Sequence, residues 1–136
     1  MAIKKAMQKI LLVDDDEVHL AVARSMLEEK YQILTAKSGK EALGFFFKGE
    51  YPNLVLLDVF MPNMDGWETY KRIKALSFLK DIPIAFFTSS TEITEKDRAI
   101  EIGAADFITK PFEKKDLFKR VKTMLKKHEK IEKLTP

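Results

Sequence analysis

The sequence predicts an α/β fold: a parallel sheet covered by helices on both faces. Three observations carry that expectation. The apolar runs KILLV from Lys9, LVLL from Leu54 and IAFF from Ile84 are continuous rather than alternating, as strands buried on both faces are. Between such runs lie stretches with helical spacing, giving five strand-helix units. The joints are short, and right-handed crossovers leave few topologies, although periodicity alone does not choose the strand order.

The first strand runs from Lys9 into Asp14, Asp15 and Asp16. Val18, Ala21, Val22, Ser25 and Met26 then recur at helical spacing through Glu29, with Asp16 and Glu17 in or beside the first turn, where acids complement the helix dipole. YQILTA from Tyr31 reads as the second strand. Ser38 with Glu41 three residues later forms a capping box, opening a helix that Gly49 closes. On that helix Leu43, Phe46 and Phe47 share a core-facing side, leaving Phe45 off it. Pro52 and Asn53 turn the chain into the third strand, which ends at Asp58. A helix from about Asp65 to Leu76 precedes the fourth strand, Ile82 to Phe87. The next helix, about Thr94 to Ile102, stops at Gly103. A short fifth strand covers Asp106 to Ile108, and a last helix begins near Glu113. Leu117, Val121, Met124 and Leu125 face the core from it, while Ile131 and Leu134 can extend it into a linker or coiled coil.

A chain of 136 residues, 46% hydrophobic and 33% charged, suits one ordered domain. No apolar run is long enough for a membrane span, and MAIKKAMQK lacks the apolar core of a signal peptide, so a cytoplasmic protein without membrane insertion is expected. The absence of cysteine excludes disulfides and thiolate metal sites. His19 and His128 have no evident metal or triad partners and read as ordinary helix or surface residues. The net charge is +3, and lysines crowd the last quarter, but Glu113, Asp116, Glu129 and Glu132 interrupt them. Direct nucleic-acid binding is not expected.

Ligands of parallel sheets gather beyond the carboxyl ends of the strands, so the polar residues that follow each apolar run should converge. Those residues are Asp14, Asp15 and Asp58, the hydroxyls of Thr88 and Ser89, and Lys110. Taken singly, each has a plain structural reading: the Asp triplet as a strand end and helix cap, Thr88 as a β-branched strand residue, Lys110 as a side chain reaching water. Taken together they describe a charge problem. Two carboxylates at about 4 Å repel by roughly 4 kcal/mol at an effective dielectric of 20, so the cluster calls for positive charge. With oxygens as the offered ligands, Mg²⁺ or Mn²⁺ fits better than zinc.

The motifs KILLVDDD, LVLLDVFMPNMDG, IAFFTSS and DFITKPF, in that order from about Lys9 to Lys127, resemble the receiver domain of two-component response regulators. The resemblance implies a flavodoxin-like doubly wound (βα)5 three-layer sandwich with strand order 2-1-3-4-5. It implies a receiver over residues 9–128, an N-terminal extension over 1–8, and a C-terminal tail or start of a linker over 129–136. It assigns Asp58 as phosphoacceptor and Asp14 and Asp15 as the metal-binding acid pair, joined by Asp58 and the backbone carbonyl of Phe60. Thr88 and Lys110 meet the phosphoryl group, and Thr88 and Phe107 form the switch. A cis Lys110-Pro111 bond is also implied. The implied partners are a sensor histidine kinase or phosphotransfer protein and a downstream target or output domain. The fourth helix, fifth strand and fifth helix are the implied response surface, with a homodimer through that face as one use. Such a chain catalyses its own modification and is no conventional turnover enzyme.

Other classes fit less well. A phosphohydrolase of the haloacid-dehalogenase type needs a second acid where Phe60 stands, and a flavodoxin-like cofactor binder needs a phosphate loop where Asp14 to Glu17 would repel one. A pseudo-receiver that binds partners without phosphorylation remains an alternative, although all the expected chemical positions are filled. Phe60, Ser89 and Ser90 depart from the commonest pattern beside the site and leave phosphoryl lifetime open.

Overall fold

The computed structural model describes residues 7–76, 81–89 and 92–134. Five strands and five helices alternate: β1 Lys9–Val13, α1 Glu17–Leu27, β2 Gln32–Ala36, α2 Gly39–Phe47, β3 Leu54–Leu57, α3 Gly66–Ala75, β4 Ile84–Thr88, α4 Ile93–Glu101, β5 Asp106–Thr109 and α5 Lys114–Leu134. All pairings are parallel, in the order β2-β1-β3-β4-β5. The period of two along each strand divides the core. Leu11, Val13, Val55, Leu57 and Phe86 pack on one face with Ala42, Phe46, Tyr70 and Ile73, whereas Ile10, Leu12, Leu54, Leu56 and Phe87 pack on the other with Leu20, Leu27, Leu117 and Val121. The strands are apolar on both sides because both sides are covered.

Expected boundaries hold to within about two residues, and the caps explain where helices begin and end. Asp16 caps α1, accepting from the N–H groups of Val18 and His19, and Asp65 caps α3 through the N–H of Glu68. Ser38 caps α2 as expected, but the Glu41 carboxylate takes the N–H of Lys37 instead of closing the box on Ser38. Gly49 and Gly103, at φ of 81° and 83°, end α2 and α4 in the left-handed conformation that glycine adopts without strain.

Two predicted helix faces are wrong. On α1 the buried stripe is Leu20, Ala23 and Leu27, while Val18 and Val22 are exposed. The helical period was right, but burying the two leucines against Ile10 and Leu12 turns the valines outward. On α2, Phe47 is 76% exposed and Phe45 packs partly against the core, the reverse of expectation. Ala42, Leu43 and Phe46 set the buried stripe, and Phe45 and Phe47 flank it almost symmetrically at a helical period, so spacing could not separate them.

The loop after β3 is shaped by close approach. A Cβ on Gly66 would lie 2.1 Å from the Asp58 carbonyl oxygen, and the Gly66 N–H donates to the Val59 carbonyl at 2.8 Å. Asn63, at φ of 69°, turns the chain within this loop. Gly66→Ala should therefore cost about 3 kcal/mol by forcing backbone apart. Gly44→Ala, whose new Cβ meets nothing inside α2, should gain about 0.5 to 1 kcal/mol. Urea unfolding of the two variants beside wild type checks both signs.

Candidate phosphoryl and metal site

The sheet register builds the site. Val13 is paired with Leu57, so the next residues, Asp14 and Asp58, emerge side by side. Backbone bonds continue the ladder one step further, from Asp14 N–H to the Ala36 carbonyl at 3.0 Å and from Asp58 N–H to the Val13 carbonyl at 2.9 Å. On the other flank Thr88 is paired with Thr109, and the Lys110 N–H donates to the Thr88 carbonyl at 2.8 Å. The Lys110-Pro111 peptide bond is cis. Asp14, Asp58 and Thr88 are buried, whereas Asp15 stands exposed at the rim.

Carboxylate oxygens of Asp14, Asp15 and Asp58 lie within 4.8 Å of one another. The Lys110 ammonium, on a side chain only 10% exposed, is 2.5 Å from Asp14 Oδ2 and 3.9 Å from Asp58 Oδ2. It also lies 4.7 Å from the centre of the Phe87 ring, which shields it from water on that side. Asp14 Oδ1 accepts the N–H of Asp16 at 2.9 Å, and Asp58 Oδ1 accepts that of Val59 at 2.9 Å. These bonds fix both buried carboxylates. Burial, reinforced by the negative charge of Asp14, pushes the Asp58 carboxyl up to about 6, against the opposing pull of Lys110 and the Val59 N–H.

The three carboxylates match a hard divalent cation that keeps part of its water shell, because the donors are all oxygens and one is exposed at the surface. Phe60, the other expected contributor, presents a side chain 56% exposed at the mouth of the site. Phe107 is half-buried on β5 against the core face that contains Phe86. Ser89 is exposed at the rim, and Ser90 lies outside the described residues.

The sequence reading missed His19. Its Nδ1 lies 3.0 Å from the Lys110 ammonium and 3.4 Å from Asp14 Oδ2, and its Nε2 is 3.7 Å from Asp16 Oδ2. A signal existed: Asp16 is the cap, so His19 is the third residue of α1, and side chains in a first turn lean back toward the helix start and here over the strand ends. The side chain of His128 lies outside the described residues.

A doubly wound sheet with three acids and a lysine across the ends of β1, β3 and β5 has a family counterpart. The response regulator receiver domain model matches residues 10–122, and the chain belongs to that family. Among curated proteins it is similar to "Probable transcriptional regulator ycf27" of Porphyra purpurea, 39% identical over 129 residues that span 91% of this chain and 50% of that protein. It is 37% identical over 123 residues to the alkaline phosphatase synthesis transcriptional regulatory protein PhoP of Bacillus subtilis, spanning 90% of this chain and 50% of PhoP. The chain thus spans about half the length of these curated relatives. Among solved structures, the chemotaxis protein CheY4 of Vibrio cholerae superposes with a TM-score of 0.80 at 32% identity, covering 88% of this chain and 99% of that one. A CheY-like receiver domain protein of Methanospirillum hungatei gives 0.82 at 28% identity, covering 92% and 98%. No helix among the described residues is long and apolar enough to cross a membrane.

The raised Asp58 carboxyl has a consequence for stability. In the unfolded chain the group ionises near its ordinary value of 3.8, in the folded metal-free protein near 6, so between these values the folded state holds the extra proton. Stability present below about pH 4 is then lost as pH rises through about 6. Asp58→Asn should escape that loss and exceed metal-free wild type by up to about 3 kcal/mol near pH 8, with the difference vanishing near pH 3. Urea unfolding in chelator across this range checks it, and parallel curves for the two proteins would contradict the assignment.

Proposed function

We propose that the chain is a phosphorylation-switched receiver, occupying about residues 9–128, in which Asp58 is the phosphoacceptor. The observation that carries the reading is the buried Asp58 carboxylate set between an acid partner and a lysine ammonium at the open ends of the strands. An Asp58 oxygen attacks the phosphorus of a phosphohistidine on a partner kinase or phosphotransfer protein. A P–O bond forms as the P–N bond breaks, and its electron pair leaves with the imidazole. Water later attacks phosphorus and returns the carboxylate and inorganic phosphate. Asp14, Asp15, Asp58 and the Phe60 carbonyl would hold Mg²⁺, or Mn²⁺, which when bound offsets charge on the transferring oxygens. Lys110 supplies the protein's own cation to the same oxygens, and Thr88 donates its hydroxyl to one of them.

The output is binding rather than turnover. Phosphorylation adds about 1.5 to 2 negative charges and three acceptor oxygens beside Thr88 and Lys110. Thr88 moves toward the new oxygens, and Phe107, without a tyrosine's hydroxyl, follows by packing into the vacated space. Supporting a response face at α4, β5 and α5 is a groove of about 780 Å³ lined by Ile93, Lys96, Phe107, Phe112 and Arg120. An output domain, a separate target or a second copy of the chain is the proposed occupant of that face. A transcriptional output is a proposal drawn from the roles named for the longer relatives, and a sensor kinase is one drawn from membership of the receiver family.

With acetyl phosphate and Mg²⁺, intact mass should rise by one phosphoryl group in wild type and not in Asp58→Asn; Asp15→Ala should lose metal affinity and incorporation together. A folded, metal-replete protein that stays unmodified would leave the pseudo-receiver reading standing. Thr88→Ala should still accept the phosphoryl group, but its amide NMR signals over α4 and β5 should move far less than in phosphorylated wild type. Equal movement in both proteins removes Thr88 from the switch.

A further inference from the structure

We propose that His19 is a positioning residue for Lys110, holding its ammonium where it meets a phosphoryl oxygen on Asp58 rather than the Asp58 carboxylate itself. The inference rests on the proposed phosphoryl transfer and deepens it. The ammonium has three protons to place. One goes to Asp14 Oδ2 at 2.5 Å, and a second lies 3.0 Å from His19 Nδ1. For that nitrogen to accept, the imidazole carries its proton on Nε2, the nitrogen facing the Asp16 cap carboxylate at 3.7 Å. Asp14 and His19 thus hold the ammonium from one side, and the Phe87 ring backs it.

The consequence lies in the remaining distance. Asp58 Oδ2 is 3.9 Å from the ammonium, too far for a hydrogen bond. A charge-assisted pair between lysine and carboxylate normally closes to about 2.8 Å, so something holds this one open. An oxygen of a phosphoryl group on Asp58 would extend beyond the carboxylate, and one turned toward the ammonium would close the 3.9 Å gap to hydrogen-bonding length. The ammonium therefore waits at the position useful to the transferring group, and the nucleophilic oxygen stays unpaired with it. Asp14 alone does not impose this, since a flexible lysine stem can pivot about one anchor toward the second carboxylate. His19 is the second anchor, reached from α1 across the end of the sheet.

His19→Leu removes the acceptor and keeps bulk, and His19→Asn replaces Nδ1 with a carbonyl oxygen on a short stem. In the full chain, the rate of phosphorylation by acetyl phosphate at saturating Mg²⁺ and the ¹⁵N signal of the Lys110 ammonium in the unmodified protein are read together. His19→Leu should slow phosphorylation roughly fivefold, the weight of one ordinary hydrogen bond, and move the ammonium signal without changing the Mg²⁺ midpoint. His19→Asn should restore both. A wild-type rate and unmoved signal in His19→Leu overturn the proposal, and so does a loss that His19→Asn fails to restore, which marks a packing role instead. If wild type takes no phosphoryl group, the proposed reaction falls, and the ammonium signal of the two variants still upholds or overturns the contact.

Discussion

The structure turns on one electrostatic constraint: two buried carboxylates, Asp14 and Asp58, side by side with one lysine to balance them. At separations up to 4.8 Å the acids repel by about 3 to 4 kcal/mol at an effective dielectric of 20. Lys110, 3.9 Å from Asp58, returns attraction of about the same size. The sum leaves the cost of burial nearly uncompensated, which is why the Asp58 carboxyl is pushed up to about 6 despite a lysine beside it. A site so poised gains from any further cation that enters and changes state when a dianionic group is attached. Reactivity toward both is written into the same imbalance.

That imbalance is sustained by the sheet. Parallel pairing of β1 with β3 and of β4 with β5 places the acids at adjacent strand ends, and the lysine across β4 from them, with no freedom of register, because a one-residue slip would send Leu12 or Leu56 to the wrong core face. The apolar layers on both faces thus fix the polar site at their edge. Gly66 adds a local constraint: its missing side chain lets α3 start directly against the backbone of Asp58 and Val59, which ties the loop after Asp58 to a helix.

Much of this was legible in the sequence, for a physical reason. Strands buried on both faces leave a continuous apolar signature, and polar residues at their ends then stand out, so Asp14, Asp58, Thr88 and Lys110 could be named before their positions were known. The strand order could not be derived that way, since hydropathy says nothing about which buried strand lies beside which; it came from family resemblance and agrees with the sheet. Helix faces failed where apolar residues crowd on more than one side, as in Val18 to Met26 and Phe45 to Phe47. His19 failed for another reason. A histidine is informative through its partners: Asp14 stands just past β1 and close in sequence, but Lys110 is 91 residues on and comes near only after folding.

Stability is distributed unevenly around the site, and the distribution bears on how a change there can travel. Helix α1 is capped by a carboxylate and buries Leu20, Ala23 and Leu27; α3 buries Trp67, Tyr70 and Ile73 beneath a capped first turn. Helix α4 has no side-chain cap bond, buries Ala99 alone among its residues, and leaves Ile93 and Ile100 at 76% and 65% exposure. Its ties to α3 are the Arg98 guanidinium 4.4 Å over the Trp67 ring and the Tyr70 hydroxyl donating to the Ile102 carbonyl at 3.1 Å. Segments with few buried contacts open at low free-energy cost, and interactions worth about 1 kcal/mol decide their position. The element that follows Thr88 in the chain is therefore less firmly attached than those that carry Asp14 and Asp58, which is what the proposed switch at Thr88 needs. Firm attachment of the acids at the strand ends and loose attachment of the adjoining helix are what coupling of a local charge change to a distant surface requires.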